Sequence, residues 1–224
     1  MSLDLYAKIE SLIGFDEPYE ELYDVYIEHL DKLNVSSILD VGCGSGKLLK
    51  RLDNYKAFGI DLSAEMIKQS KSKGLNVEQI DICDLDKQYD AVLCVADVLN
   101  YINSSELKLF FQCISERLKP NAYFLFDINT LYGFENVADG TMVNSLEDKF
   151  LSVDAQYENS ELYSEFTLFE KNSDGLFTKE QSTIVQFFHS EESIKKMIPL
   201  KFISQEDITL FGEYADKSLM IFQK

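Results

Sequence analysis

The sequence predicts an α/β fold, in which a mostly parallel sheet carries helices on both faces and an antiparallel strand insertion comes late in the chain. Up to about Thr130, short β-branched or aliphatic runs alternate with segments of helical periodicity, which is the order of βαβ units. From about Ser145 to Phe188 the runs instead read as strands separated by turn residues, at 159–160 and 172–175. This second pattern predicts an antiparallel meander.

The length and composition fit one domain. The chain has 224 residues, of which 46% are hydrophobic, and this is enough for one sizeable core. We expect a helical lid over residues 1–33, a ligand-binding core over 34–130, the antiparallel insertion over 131–188, and a closing helix with the last sheet strands over 189–224.

The charge balance limits the classes of partner. Lys and Arg number 21 against 39 Asp and Glu, which gives a net charge of -18. A nucleic-acid backbone or an anionic membrane would repel such a chain, so we expect a small-molecule partner instead. No apolar run approaches the ~20 residues of a membrane span, and the first residues lack the pattern of a signal peptide. We therefore expect a cytoplasmic protein, either a monomer or a homodimer.

The four cysteines give no sign of a disulfide framework. Cys43, Cys83, Cys94 and Cys113 form no CxxC pair and have no clustered histidine nearby. We expect buried free thiols, no disulfide and no metal site.

Further elements are predicted before and after the βαβ region. The stretch to about Leu33 reads as two helices broken near 14–18, with an apolar face on the second helix. Near the other end, a short helix around Glu191–Met197 leads past Pro199 into two further strands.

The strongest local signal is a glycine loop. A hydrophobic strand ending at Val41 runs into Gly42, Gly44 and Gly46, ahead of a helix predicted to begin at Lys47. Glycine at alternate positions lets the backbone turn tightly and approach a ligand that a Cβ would displace.

Three nucleotide ligands compete for this loop. A P-loop needs GxxxxGK[ST], which the segment from Gly42 to Leu48 does not match. A dinucleotide loop needs GxGxxG in place of GxGxG, and the carboxylate of Asp40 would disfavour a pyrophosphate. A cationic cofactor without phosphate, of which S-adenosylmethionine is the common example, suits the loop better. A glycine turn without a ligand is the remaining alternative.

The ends of the next strands supply further binding candidates. Asp61 ends strand two, where a carboxylate accepts hydrogen bonds from both hydroxyls of a ribose, while Ser63 is the better N-cap of the following helix. Asp81 ends strand three, where it would accept from an adenine amino group, with Leu62 and Met66 on the ring faces. The end of strand four, from Cys94 to Asp97, reaches the same edge of the sheet.

In order and spacing, the loop 40–46, the Gly59-Ile60-Asp61 ending and Asp81-Ile82 resemble the class I S-adenosylmethionine-dependent methyltransferases over about residues 35–130. Four shorter segments resemble a bacterial subfamily of small uncharacterised methyltransferases with a strand insertion: 16–19, 97–101, 118–120 and 126–129. The resemblance implies a Rossmann-like sheet of seven strands with the last strand antiparallel. It also implies a cofactor cleft across the carboxyl ends of strands one to four. The residues predicted to bind the cofactor are Asp40, Gly42, Cys43, Gly44, Gly46, Asp61, Leu62, Met66, Asp81, Ile82, Cys94 and Asp97.

The resemblance further implies methyl transfer by in-line displacement, for which we expect an oxygen or nitrogen atom of a small polar metabolite as acceptor. Four residues near strand ends or on the lid are the predicted catalytic candidates: Tyr19, Tyr101, Asn129 and Tyr132. Of the two histidines, His29 reads as structural, and His189 is a weaker candidate for a base. The alternatives are methylation of RNA, which needs a basic face, and a cofactor-binding module without turnover.

Overall fold

A computed structural model describes residues 2–224, with side chains from Asp4 onward except that of Asp16, which belongs to one of the resemblance motifs. The helices are α1 (Ser2–Ile13), α2 (Asp16–Lys32), α3 (Ala64–Ser72), α4 (Ser104–Arg117) and α5 (Glu191–Met197). The strands are β1 (Ser37–Val41), β2 (Lys56–Asp61), β3 (Val77–Gln79), β4 (Tyr89–Cys94), β5 (Leu118–Asn129), β6 (Gly140–Ser145), β7 (Lys149–Glu158), β8 (Glu161–Lys171), β9 (Phe177–Phe187), β10 (Lys201–Ile208) and β11 (Lys217–Gln223).

The main sheet has seven strands in the order β10-β11-β5-β4-β1-β2-β3. Strands β1 to β5 pair in parallel, and β11 pairs antiparallel with both β5 and β10. The predicted mixed α/β sheet with an antiparallel last strand is confirmed. The carboxyl ends of β1, β2, β3 and β4 therefore meet at one edge, where open α/β sheets bind ligands.

The core lies on both faces of this sheet because alternate side chains of a strand point to opposite faces. Ile38 of β1 is buried in a cluster with Leu22, Tyr26 and Leu30 of α2. Its neighbour Leu39 belongs to the cluster on the other face, which includes side chains of α4 and α5. The continuous burial of β1 and β4 is the pattern of strands covered on both sides.

The antiparallel insertion forms a second sheet of four strands in the order β6-β7-β8-β9. The predicted turn at Asn159 and Ser160 joins β7 to β8, and both residues have positive φ, 54° and 66°, as a two-residue hairpin turn requires. Strand β6 was not predicted. It pairs with β7 as an edge strand after a π-helical turn at Gly133–Ala138.

The two N-terminal helices, predicted with a break near 14–18, pack against different sheets. Apolar side chains of α1, including Leu5 and Ile9, share a cluster with Leu151 and Ile184 of the insertion. Helix α2 packs instead on the main sheet. The pair therefore connects the insertion with the core next to the carboxyl edge. Within residues 2–224, no helix is long and apolar enough to cross a bilayer.

Two sequence-based expectations are wrong. The α-helix expected from Lys47 is a 3₁₀ turn at Leu49–Arg51, since the short segment 47–55 must return the chain to β2. Cys83 and Cys113 form a disulfide, although free thiols were expected. The fold places the turn after β3 against α4, which brings two cysteines 30 positions apart in sequence to a Cα separation of 5.0 Å. Cys43 and Cys94 are free and buried, as expected.

Candidate active site

A cavity of about 510 Å³ opens at the carboxyl edge of the main sheet. This volume lies within the usual range of small-molecule sites, about 300–1,000 Å³. One part of its lining comes from the loops after β1, β2 and β3. The other part comes from α1, α2 and the segment after β4. We call the first part the glycine-loop end (Gly42, Gly44, Asp61, Asp81 and Ile82) and the second the tyrosine end (Tyr6, Tyr19, Tyr23 and Tyr101).

The conformation of the glycine loop depends on positive φ angles and on hydrogen bonds to β2. Gly42 and Gly44 have φ of +73° and +52°, a region that side chains rarely adopt. A Cβ on Gly42 would lie 2.7 Å from a methyl group of Val98, so a residue with a side chain does not fit at this position unless Val98 shifts. The amides of Gly42 and Cys43 donate to the carbonyl of Ile60 at 2.8 and 3.0 Å, which fixes the loop on β2.

Asp61 connects this loop to the start of α3. Its carboxylate accepts hydrogen bonds from the amides of Gly44, at 2.9 Å, and Ser63, at 2.8 Å. Burial raises the pKa of Asp61, while these amide donors act in the opposite direction. The Ser63 hydroxyl accepts from the amide of Met66, as the predicted N-cap of α3.

Asp40 is more deeply buried than Asp61. It is 3% exposed, and burial, together with the negative charge of Asp61, raises its pKa to about 8. The carboxyl group is therefore mostly protonated at pH 7 in the cofactor-free protein, which weakens the sequence argument that its charge repels a pyrophosphate. A cationic ligand beside it would favour the ionised form.

Asp81 and Ile82 lie on the opposite wall of the glycine-loop end. The Asp81 carboxylate accepts from the amide of Cys83 at 2.8 Å, and Leu62 and Met66 also line the cavity. Phe110 of α4 faces the same space. The Cys83–Cys113 disulfide lies behind this wall and joins the turn after β3 to α4.

The tyrosine end is assembled from residues far apart in sequence. Tyr6 lies on α1, Tyr19 and Tyr23 on α2, and Tyr101 after β4. Burial raises the pKa of all four phenols. Nearby negative charges raise it further, and for Tyr6, Tyr19 and Tyr101 one of these charges is that of Asp97. These hydroxyls are therefore neutral at physiological pH, as hydrogen-bond donors or acceptors.

Two of the predicted cofactor ligands, Gly46 and Cys94, do not line the cavity. Gly46 faces α3, where a Cβ would lie 2.3 Å from Leu75 and 2.9 Å from the Ser70 hydroxyl, so its role is packing. Cys94 is fully buried inside β4.

Asp97, Asn129 and Tyr132 also lie outside the lining. Asp97 accepts from the ammonium of Lys217, and the Asn129 side chain accepts from the same Nζ at 2.9 Å. The Tyr132 hydroxyl accepts from the amide of Glu213 at 3.2 Å, on the loop between β10 and β11. All three side chains therefore contact partners outside the cavity lining, namely Lys217 for the first two and the Glu213 amide for the third.

Neither histidine lines the cavity. The Nε2 atom of His29 lies 2.8 Å from Glu206 Oε2 of β10. His189 is buried, its Nε2 lies 2.9 Å from the carbonyl oxygen of Ile102, and burial lowers its pKa. A general base for the acceptor would therefore have to be a group other than imidazole.

Sequence reasoning did not select several lining residues. Tyr6 was not among the catalytic candidates, and Glu10, Lys47 and Phe110 were not considered. Glu10 and Lys47 form an ion pair at 2.9 Å beside the glycine loop. One signal was available, because Tyr6 and Glu10 are four apart on α1 and so share one helix face.

Comparisons with known proteins agree with this arrangement. The model of a methyltransferase domain matches residues 38–121. A putative methyltransferase of a Geobacillus species is 29% identical over 78% of this chain and 76% of its own length. A crystal structure of an S-adenosylmethionine-dependent methyltransferase from Clostridium acetobutylicum is 24% identical, with a TM-score of 0.81 over 96% of this chain and 95% of its own. A sugar N-methyltransferase from a Streptoalloteichus species is 20% identical, with a TM-score of 0.73 over 100% and 93%.

The matched domain contains β1, β2, β3 and β4 with the loops that form the glycine-loop end. The structural likeness extends over nearly the whole chain, including the insertion and the N-terminal helices. Residues 38–121 therefore match a methyltransferase domain, and the chain has the fold of the class I S-adenosylmethionine-dependent methyltransferases.

Proposed function

We propose that this enzyme methylates an oxygen or nitrogen atom of a small polar metabolite, and that an amine is the first acceptor to test. The observation that carries the proposal is the tyrosine end of the cavity. Its walls come from α1, α2 and the segment after β4, so it offers room for a small molecule beside the cofactor. The cytoplasm, where small polar metabolites are abundant, is the expected setting.

The glycine-loop end fits the cofactor by its shape and its donors. Gly44 has open space where a Cβ would stand, with Met66 Sδ as the nearest atom at 3.9 Å, so the backbone can approach a ligand closely. We assign the Asp61 carboxylate to the ribose hydroxyls, and Asp81 with Ile82 to the adenine. Asp40, which lies beside the loop, would favour the cationic methionine end.

When bound, the cofactor supplies a methyl group: the acceptor's lone pair forms the new bond to carbon, the carbon–sulfur electrons stay on sulfur, and the positive charge leaves sulfur. The chain's contribution is to align the acceptor and to exclude water. We assign the phenols of Tyr19 and Tyr101, which line the cavity, to hydrogen bonds with the acceptor.

An amine has two points in its favour over a hydroxyl. No imidazole lines the cavity within the described residues, and a neutral amine, unlike a hydroxyl, needs no base to make it nucleophilic. The structural neighbour from Streptoalloteichus is a sugar N-methyltransferase and shares this fold over nearly its full length. Amino sugars are therefore one set of compounds to include.

The proposal is tested by release of S-adenosylhomocysteine from S-adenosylmethionine in the presence of pooled metabolites. Pools of amines, amino sugars and hydroxylated metabolites are compared with an RNA pool. The Asp61→Ala variant, assayed at S-adenosylmethionine concentrations below its dissociation constant, serves as a control and should form less product. We expect turnover with an amine pool. Turnover with RNA alone would contradict the proposal.

A further inference from the structure

Three charged side chains form a buried cluster behind the tyrosine end. Asp97 is 8% exposed, Asp127 is fully buried, and Lys217 is 1% exposed. The Lys217 ammonium donates to Asp97, donates to Asn129 at 2.9 Å, and lies 3.5 Å from Asp127 Oδ2. Asp127 lies near the carboxyl end of β5, and Lys217 is the first residue of β11.

The Asp127 carboxylate is saturated with donors. Its Oδ1 accepts from the Tyr26 hydroxyl and from the amide of Ala96, each at 2.8 Å. Its Oδ2 accepts from the amide of Asp97 at 3.2 Å and faces Lys217. Burial raises the pKa of Asp127, while the Lys217 ammonium and the donors at Tyr26 and Ala96 act in the opposite direction. Counted by the usual side-chain charges, two carboxylates and one ammonium give the cluster a formal net charge of about −1.

This charge lies directly behind the cavity wall. Ala96 and Asp97 are consecutive non-glycine residues with φ of 62° and 69°, a conformation that the Asp127 carboxylate stabilises by accepting from both amides. Their neighbours Val95 and Val98, and Ala96 itself, line the cavity. On the other side, the Lys217 Nζ lies 6.0 Å from the ring centroid of Tyr19.

We propose that Asp97 is a specificity-determining residue, which gives the tyrosine end a net negative charge that selects an amine acceptor, and that Lys217 is its positioning residue. This inference rests on the proposed function. Methylation of a neutral amine leaves the positive charge on nitrogen, so a fixed negative charge at the acceptor end stabilises the product side. Methylation of a hydroxyl gives a neutral ether and a released proton, and gains no such stabilisation.

Lys217 compensates one of the two carboxylates and holds both of them in one place. Without its ammonium, two buried carboxylates would lie close together, and one of them would take up a proton. The ammonium donates to Asp97, in the segment after β4, and to Asn129, at the end of β5, and so connects residues 96–97 to the end of the sheet.

The test uses two cofactor analogues that differ in charge at the reacting position. S-adenosylhomocysteine is neutral at sulfur, whereas sinefungin carries an ammonium group where S-adenosylmethionine carries its methylated sulfonium. Calorimetry gives both dissociation constants, and their ratio reports the field at that position without any acceptor. Changes in this ratio between variants cancel the other differences between the two ligands.

We expect Asp97→Asn to reduce the preference for sinefungin over S-adenosylhomocysteine about tenfold, the order of magnitude that loss of one nearby charge gives at an effective dielectric constant of about 20. Lys217→Arg, which keeps the charge, should change the ratio less than about twofold. Asp207→Asn, on the edge strand β10, is the matched control that removes an exposed carboxylate and should leave the ratio unchanged. Thermal unfolding establishes that each variant is folded, and Asp97→Ala replaces the Asn variant if the latter is not.

An unchanged ratio in a folded Asp97 variant would overturn the inference. An equal loss of affinity for both analogues would also overturn it, because this result indicates a direct cofactor contact or a purely structural role. Failure of the unmodified enzyme to bind either analogue would instead contradict the cofactor assignment. A normal ratio change combined with turnover on hydroxyl pools alone would contradict the amine preference.

Discussion

The two ends of the cavity are built in different ways. The glycine-loop end consists of backbone amides and carboxylates within one continuous stretch, from Asp40 to Ile82, and a disulfide lies behind it. The tyrosine end consists of side chains from α1, α2 and the segment after β4, supported by a charged cluster that reaches β11. The first end suits a ligand shared by many enzymes, and the second suits a ligand particular to this one. Variants that affect one end and spare the other test this division.

Loss of the disulfide should cause the largest change, and it should fall on the glycine-loop end. Reduction should lower the free energy of unfolding by about 2–4 kcal/mol, since the bond restricts the unfolded chain and joins the wall behind Asp81 to α4. Denaturant titration with and without a dithiol measures the difference. The Cys113→Ala variant is the control, because a dithiol should have no further effect on it. Identical midpoints for the oxidised and reduced protein would show that the bond does not brace this end.

The next largest effect is expected for Asp61→Ala. Loss of a charged acceptor for ligand hydroxyls costs about 1.5–3 kcal/mol, so the dissociation constant of S-adenosylhomocysteine should rise roughly tenfold to a hundredfold. Calorimetry measures this, with thermal unfolding as the check on the fold. Asp84→Ala, an exposed acid in the neighbouring turn, is the matched control and should bind normally. An unchanged constant for Asp61→Ala would place the ribose elsewhere and would break the division between the two ends.

A smaller effect, on pH dependence, is expected from Asp40. Its pKa in the folded protein, about 8, is above that in the unfolded chain, so the folded state retains a proton that the unfolded state has released. Stability should therefore fall as pH rises from about 4 to about 8, and then level off. Between pH 6 and pH 8, the cofactor-free protein should lose on the order of 1–2 kcal/mol more than the Asp40→Asn variant.

Denaturant titration of both proteins at the two pH values checks this expectation. Asp84→Asn is the control for loss of an exposed acid and should behave like the unmodified protein. Parallel stability curves for the unmodified protein and Asp40→Asn would show that Asp40 is already ionised in the empty cavity.

The same division explains what the sequence alone could predict. The order of strands and helices, the glycine loop and the acids at the ends of β2 and β3 follow from short-range patterns, and these residues do line one cavity. Asp97 and Asn129 were predicted as ligands because they lie near strand ends. Their actual partner, Lys217, is 120 and 88 positions away, and no local pattern indicates it.

The disulfide and the aromatic support of Tyr19 were missed for a similar reason. Phe211 packs on the Tyr19 ring, with centroids 6.0 Å apart, from a loop held by the Asp216 carboxylate. The Cys83–Cys113 pair depends on how α4 lies over the turn after β3. Contacts of this kind are fixed by tertiary packing, so a single sequence gives only the elements that carry them.

The smallest effect on cofactor binding is expected at the tyrosine end itself, from Tyr19→Phe. The ring packs against Phe15 and Phe211, with centroids 5.9 and 6.0 Å away, and these contacts do not involve the hydroxyl. Phenylalanine should therefore keep the packing, and the affinity for S-adenosylhomocysteine should stay within about twofold. Turnover on the acceptor found in the metabolite screen should fall, because a contact made mainly to the acceptor or the transition state acts on catalysis and leaves cofactor affinity intact. Tyr132→Phe is the matched control, since its hydroxyl contacts the amide of Glu213 outside the cavity, and it should leave both quantities unchanged. Full turnover by Tyr19→Phe would remove this hydroxyl from the acceptor site, and a large loss of cofactor affinity would show that the two ends are not independent.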